Sequence, residues 1–332
     1  MNSYERVMKI VRGETPDRLP VWASRHNKDG FLADTAEGML KREIEFQEEF
    51  DWDMARISPA AALQVMDFGC RFSGNNHLGV PSVVERPVSC VGDWEKIGRL
   101  DPEAGRYGSI AGAIKGLGEY LKGSKLNMAT AFSPLTLAQK CAGDDVLLDT
   151  MRNHAEILKT ALDVFADTMI DFINHCADNG ADSLYFATQT ATKNLITGEE
   201  AALYEKCYSL KVLSAVRPRM QAIFLHLHGD NIMIDHFEEY PIDVLNWADR
   251  RTVPPVPISE GIKYFSRGIM GGVNGRTTLC TGPEEDIREE IADAYRQAGK
   301  PIIISPCCVI PVSGLPDKNI HVMRNAINTI AL

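Results

Sequence analysis

Apolar positions along the second half of the chain fall into two rhythms. Short, nearly continuous apolar runs predict buried strands at Ser183–Ala187, Ala222–His228, Asp243–Trp247, Gly268–Val273 and Ile302–Ser305. Between them, apolar residues at helical spacing predict helices over Glu199–Arg217 (broken at Pro218), Ile232–Glu239, Ser259–Phe265, Pro283–Gln297 and Asp317–Ile330. The helix from Pro283 has punctuation at both ends: Thr281 as N-cap, Pro283 near its first turn and Gly299 at its close.

Strand and helix in alternation, with strands apolar on both faces, imply a parallel sheet wrapped by helices. The first half adds strands at Leu19–Trp22, Met54–Ile57 and Lys125–Ala131, followed by a helical stretch over Asp144–Asn179. The count approaches eight, which favours a closed (β/α)8 barrel over an open sheet. Residues 61–122 break the rhythm; their Gly- and Pro-rich stretches, such as GNNHLGVP, read as an irregular insertion near one end of a single domain spanning 1–332.

Composition narrows the function. With 332 residues, 45% of them hydrophobic, the chain can bury a large core. Its formal net charge of -10 repels phosphate backbones and argues against nucleic acid as a partner. No apolar run reaches the roughly 18 residues a membrane helix needs. The opening MNSYERVMKIVRGETPDR lacks an apolar signal segment, so a cytoplasmic location is expected. The eight scattered cysteines then read as reduced thiols or ligands rather than disulfides.

In a parallel barrel, chemistry sits where strands end and loops begin. Arg25, His26, Gln189, His226, His228, Asp249, Asn274, Cys307 and Cys308 fall at such points. His226 and His228 are two residues apart, which on a strand places both on one face. Gly229 allows a sharp turn after them, with Asp230 available as an acceptor. The strand Ile302–Ser305 leads into Cys307-Cys308. Two imidazoles and one of these thiolates would make a three-ligand set, the number catalytic zinc usually takes. The bland alternative is a pair of hydrogen-bonded core histidines and ordinary buried thiols. Arg25 could anchor a carboxylate, His26 could move a proton, and Gln189 and Asn274 could orient substrate. Trp22 and Trp247 could wall a planar cofactor or substrate, or simply fill the core.

Four stretches resemble the uroporphyrinogen decarboxylase superfamily: ERVMKIVRGETPDRLPVW, ATAFSPLTLAQKCAG, GIMGGVNGRTTLCTGPEEDIREEI and SPCCVIPVSGLPDKNIHVMRNAI. The resemblance runs over nearly the whole length and implies a distorted TIM barrel. Decarboxylases of that superfamily hold substrate carboxylates with two arginines four apart, where this chain has Arg25 and then Asp29. Their catalytic aspartate falls in an FSD motif, and the matching RISPAA puts Pro59 in its place. Porphyrinogen decarboxylation is therefore not expected.

The corrinoid-linked methyltransferase branch is the nearer likeness. Its zinc motif is HxC with a late Cys; HLHG at His226–Gly229 resembles it with His228 in the cysteine's place, and Cys308 matches the late ligand. The resemblance implies a Zn2+ cofactor, a small methylated substrate and a corrinoid-binding protein as partner, because the chain has no DxHxxG corrinoid motif of its own. It is also compatible with a homodimer. Exchanging a thiolate for imidazole makes the site harder and favours an oxygen ligand, pointing to a methyl ether or similar donor. The alternative is a lyase that decarboxylates a smaller carboxylate anchored by Arg25.

Overall fold

The computed structural model describes residues 1–60 and 62–332. Nine strands form in chain order: β1 Met54–Arg56, β2 Arg71–Ser73, β3 Ser82–Glu85, β4 Leu126–Phe132, β5 Ser183–Thr188, β6 Ala222–Leu227, β7 Val244–Trp247, β8 Gly268–Gly272 and β9 Ile303–Ser305. Seven of them make one parallel sheet in the order β1-β4-β5-β6-β7-β8-β9. Every β4, β5, β6 and β7 residue is buried, as expected of strands covered on both faces.

The expected strand Leu19–Trp22 does not form a regular strand. Pro20–Trp22 instead bridges to β9: Trp22 N donates to Ile304 O at 2.9 Å and Ile304 N to Pro20 O at 2.8 Å. On the other side Asp53 N donates to Val21 O at 3.0 Å. Pro20 has no N–H, so the ladder cannot extend. This short stave joins the two ends of the curled sheet, giving a distorted (β/α)8 barrel.

Helix ends follow the sequence with several corrections. The late helix spans Glu284–Ala298, capped by Pro283 backbone and closed by Gly299 at φ 62°. Thr281 is not its cap but ends the preceding turn, Thr278–Thr281. Only single turns, Ile234–His236 and Ile258–Gly261, form where helices were expected at Ile232–Glu239 and Ser259–Phe265. The stretch Asp144–Asn179 is two helices that meet at His154. Over Glu199–Arg217 the chain runs through a π-helical segment, Ala201–Lys206. Glu205 within it accepts from Ser133 (3.0 Å), Thr190 (2.7 Å) and Ser209 (2.9 Å).

The irregular 61–122 segment, of which residue 61 lies outside the described residues, contains a regular crossover helix, Gly105–Leu121, between β1 and β4. Its glycines hide it from a periodicity reading, yet they serve packing: a Cβ at Gly116 would strike Leu40, and one at Gly112 would sit 3.5 Å from Ala36. The same segment carries the antiparallel β2–β3 hairpin. Its tip reaches the barrel mouth, where Val312 N donates to His77 O at 2.9 Å. No described helix is long and apolar enough to cross a membrane.

Candidate metal centre and cavity

Strand register decides which side chains meet. Ala187, His226 and Asn246 are successive partners across β5, β6 and β7. Neighbouring strands lie ~4.8 Å apart, so Asn246 sits beside His226. His226 Nδ1 and Asn246 Oδ1 are 2.6 Å apart. The Asn246 amide is oriented from its far side, since its Nδ2 donates to Met270 O at 2.8 Å. Asn246 Oδ1 also accepts from Tyr185 Oη at 2.9 Å. An acceptor at Nδ1 leaves the proton there and the lone pair on Nε2. That Nε2 is buried and has no hydrogen-bond partner.

His228 follows β6, held by its N–H to Thr188 O at 3.0 Å. Cys308 Sγ lies 3.9 Å from His228 Nδ1. One ligand atom each from His226, His228 and Cys308 lies within 4.8 Å of the others. Burial pushes the Cys308 thiol up, but the adjacent His226 and His228 rings outweigh it and hold it well below the ordinary range. Burial holds His226 below the usual imidazole value. A metal is bound by deprotonated ligands, a thiolate and imidazoles with a free lone pair.

Cys307 is turned away from this cluster. Its backbone is left-handed, φ 71°, and its Sγ donates to Asp249 Oδ1 at 2.9 Å. Asp249 also accepts from Gly272 N at 2.9 Å, and is engaged there rather than with the histidines. Asp230 accepts from Val253 N at 2.9 Å.

The cluster opens into a cavity of about 270 Å³ whose apolar lining includes Leu78, Val80, Phe132 and Val309. His26 and Gln189 line it. Burial, reinforced by Arg42 and Arg56, pulls His26 down to about 4, so it stands in the cavity as neutral imidazole. Gln189 Oε1 accepts from Lys140 Nζ at 2.7 Å.

Other expected site residues are elsewhere. The Arg25 guanidinium lies 5.0 Å from the Phe46 ring centroid and 3.6 Å from Asp317, in a separate groove. Asn274 does not line the cavity; its Oδ1 caps its own loop, accepting from Arg276 N and Thr277 N. Trp247 is core, its indole N–H bonded to Val256 O at 2.7 Å. Trp22 is likewise buried, its ring 5.9 Å from that of Tyr185.

Sequence reasoning missed Arg56, Lys140, Tyr185, Asn246 and Arg276. Arg56 lies 4.0 Å over the Tyr185 ring and donates to Ser58 and Ser24. Two of the five carried a signal: Arg56 in MAR and Asn246 in VLNW are polar residues inside wholly buried strands.

The sequence profile of the uroporphyrinogen decarboxylase (URO-D) family matches residues 2–330. The chain belongs to the URO-D family. Among relatives, it is 24% identical over 344 residues to methylcobamide:CoM methyltransferase MtbA of Methanosarcina mazei, covering 96% of this chain and 95% of that one. It is 26% identical over 203 residues to uroporphyrinogen decarboxylase of Vibrio cholerae, covering 54% and 56%. The solved structure of a methyltransferase from Methanosarcina mazei superposes with a TM-score of 0.85 at 19% identity, over 99% of each chain. That superposition establishes for this URO-D member the fold alone.

Proposed function

We propose that this URO-D protein is a zinc-dependent methyltransferase, moving a methyl group between a small methylated donor, a methyl ether or similar compound, and a corrinoid protein. The carrying observation is the convergence of His226, His228 and Cys308 in one recess, with the His226 Nε2 lone pair buried and otherwise unused. Likeness to a methylcobamide:CoM methyltransferase over almost the full length supports the reading.

The residues present fit a zinc ion. His226 Nε2 faces no competing donor, and the depressed Cys308 thiol supplies a thiolate without a proton to displace. Three protein ligands leave one position for substrate. Zinc held there would draw electron density from a donor heteroatom and ease its departure from the methyl carbon.

The chain's own groups do the rest. Asn246 keeps His226 in the ligating tautomer. Leu78, Val80, Phe132 and Val309 would shelter the methyl group and the incoming cobalt(I) nucleophile from water. Neutral His26 can accept a hydrogen bond without adding charge to the recess. The cobalt(I) nucleophile arrives on its own carrier.

Decarboxylation finds no support in the placement of side chains: Pro59 lines the cavity where that chemistry needs a carboxylate, and Arg25 lies outside it.

The test has two arms. Purified protein should contain stoichiometric zinc that is lost in His226→Ala and Cys308→Ser. With methyl ethers as donors it should convert cob(I)alamin to methylcobalamin spectrally, and both variants should fail. A wild-type protein that takes up no zinc, or keeps it in both variants, would overturn the proposal.

A further inference from the structure

The cavity is electrostatically unlike the chain that builds it. The sequence carries 45 acidic against 35 basic residues. Yet Arg56, Lys140 and Arg276 all line this one recess, and no Asp or Glu lines it among the described residues. Their side-chain partners are neutral: Arg56 donates to two serines and Lys140 to Gln189. Arg276 Nη1 is buried with no hydrogen-bond partner at all. Cationic groups held in a recess with no carboxylate, and with Cys308 beside Arg276 as their one acidic neighbour in the lining, are costly to desolvate, and they concentrate anions. A divalent metal on the cluster would add to the imbalance, with the Cys308 thiolate alone opposing it.

Size and shape narrow the ligand. About 270 Å³ admits only a small molecule. Its apolar lining residues suit a hydrocarbon body. A guanidinium fork with a free N–H matches the two oxygens of a carboxylate better than any neutral group. Arg276 comes from the loop after β8, and Lys140 from the last turn of the helix Pro134–Ala142. Arg25, the residue whose position suggested a carboxylate anchor, is engaged elsewhere.

We propose that the methyl donor is a small O-methylated carboxylate whose carboxylate is bound by Arg276 and Lys140. This rests on the methyl-transfer reading only for the donor's methyl group; the anion site stands on three cations that share a recess lined by no carboxylate.

Calorimetric titration of the intact protein tests it without turnover. The probes are methoxyacetate and 4-methoxybenzoate, each against its uncharged amide. The carboxylates should bind at least about tenfold tighter than the amides. Arg276→Gln and Lys140→Gln should each erase most of that preference and leave amide affinity and zinc content unchanged. Arg276→Lys should restore part of it. Amides that bind as tightly as carboxylates, carboxylates that do not bind, or variants that weaken both classes alike would overturn the site. A protein that prefers carboxylates but never methylates cob(I)alamin would sink the methyl-transfer reading and leave the anion site standing. One that methylates it only from neutral ethers would sink this one alone.

Discussion

The two ends of the barrel treat buried polar groups in opposite ways. At the N-terminal end, Asp53, Asp182 and Asp243 each stand just before a strand and accept the N–H of a neighbouring segment: Val21 at 2.8 Å, Asn127 at 2.9 Å and Ile223 at 2.7 Å. Asp53, fully buried, also accepts from Arg6 (2.8 Å) and Arg18 (2.7 Å). The polar capacity of these three carboxylates is spent inside the protein. At the mouth, His226 Nε2, His26 Nδ1 and Arg276 Nη1 are buried without partners. Buried polar atoms are nearly always satisfied; Trp52 Nε1 and Asn127 Oδ1 lack partners at the other end, but those at the mouth belong to residues that line a cavity, where a ligand can reach them. One end holds the fold together and the other waits for what it binds.

Breaking the satisfied end should have the largest effect. Asp53→Ala leaves Arg18 without a carboxylate and Arg6 with Asp17 alone, and should destabilise by about 3 kcal/mol, read as a lower urea midpoint. Zinc stoichiometry in the folded fraction should be unchanged. A midpoint that does not move would mean that the network contributes little.

At the mouth, Asn246→Ala leaves His226 free to choose its tautomer. Zinc affinity, measured by competition with a chelating dye, should fall about 10–100-fold. Equal affinities in variant and parent would remove the tautomer argument.

The cationic lining should show in pH. Burial, with Arg86 reinforcing it and Cys70 and Cys141 opposing it, brings Lys140 down to about 8. Lys140 is therefore charged below that pH and neutral above it. Carboxylate affinity should be full at pH 7 and lost as pH rises through 8, by about tenfold, the worth of one charge-assisted hydrogen bond. The Lys140→Gln profile should lack this step; a step that persists belongs to another group.

The smallest effect sharpens the contrast between core and site. Trp247→Phe removes one buried hydrogen bond and should cost about 1 kcal/mol in stability. Carboxylate and zinc binding should stay as they were, and a loss of either would return Trp247 to the site.

Legibility followed the same divide. Strands β4 to β9 were readable because burial on both faces leaves continuous apolar runs, and the pairing of His226 with His228 followed from the two-residue period of a strand. The helix Gly105–Leu121 was hidden because its close packing needs glycine rather than an apolar stripe. Arg25 misled because a position in sequence says nothing of where a long side chain will lie; the Phe46 ring and Asp317 captured it.

By itself, then, the amino-acid order determined the alternation of strand and helix, the parallel barrel and the shared face of two histidines, all consequences of short-range periodicity. Only the tertiary structure decided that Cys308 rather than Cys307 joins them, that Asn246 sets the tautomer, and that three cations from distant segments share one recess. Those outcomes depend on strand register, on a left-handed turn at Cys307 and on loop paths. No local pattern encodes them, because each is a relation between residues far apart in the chain.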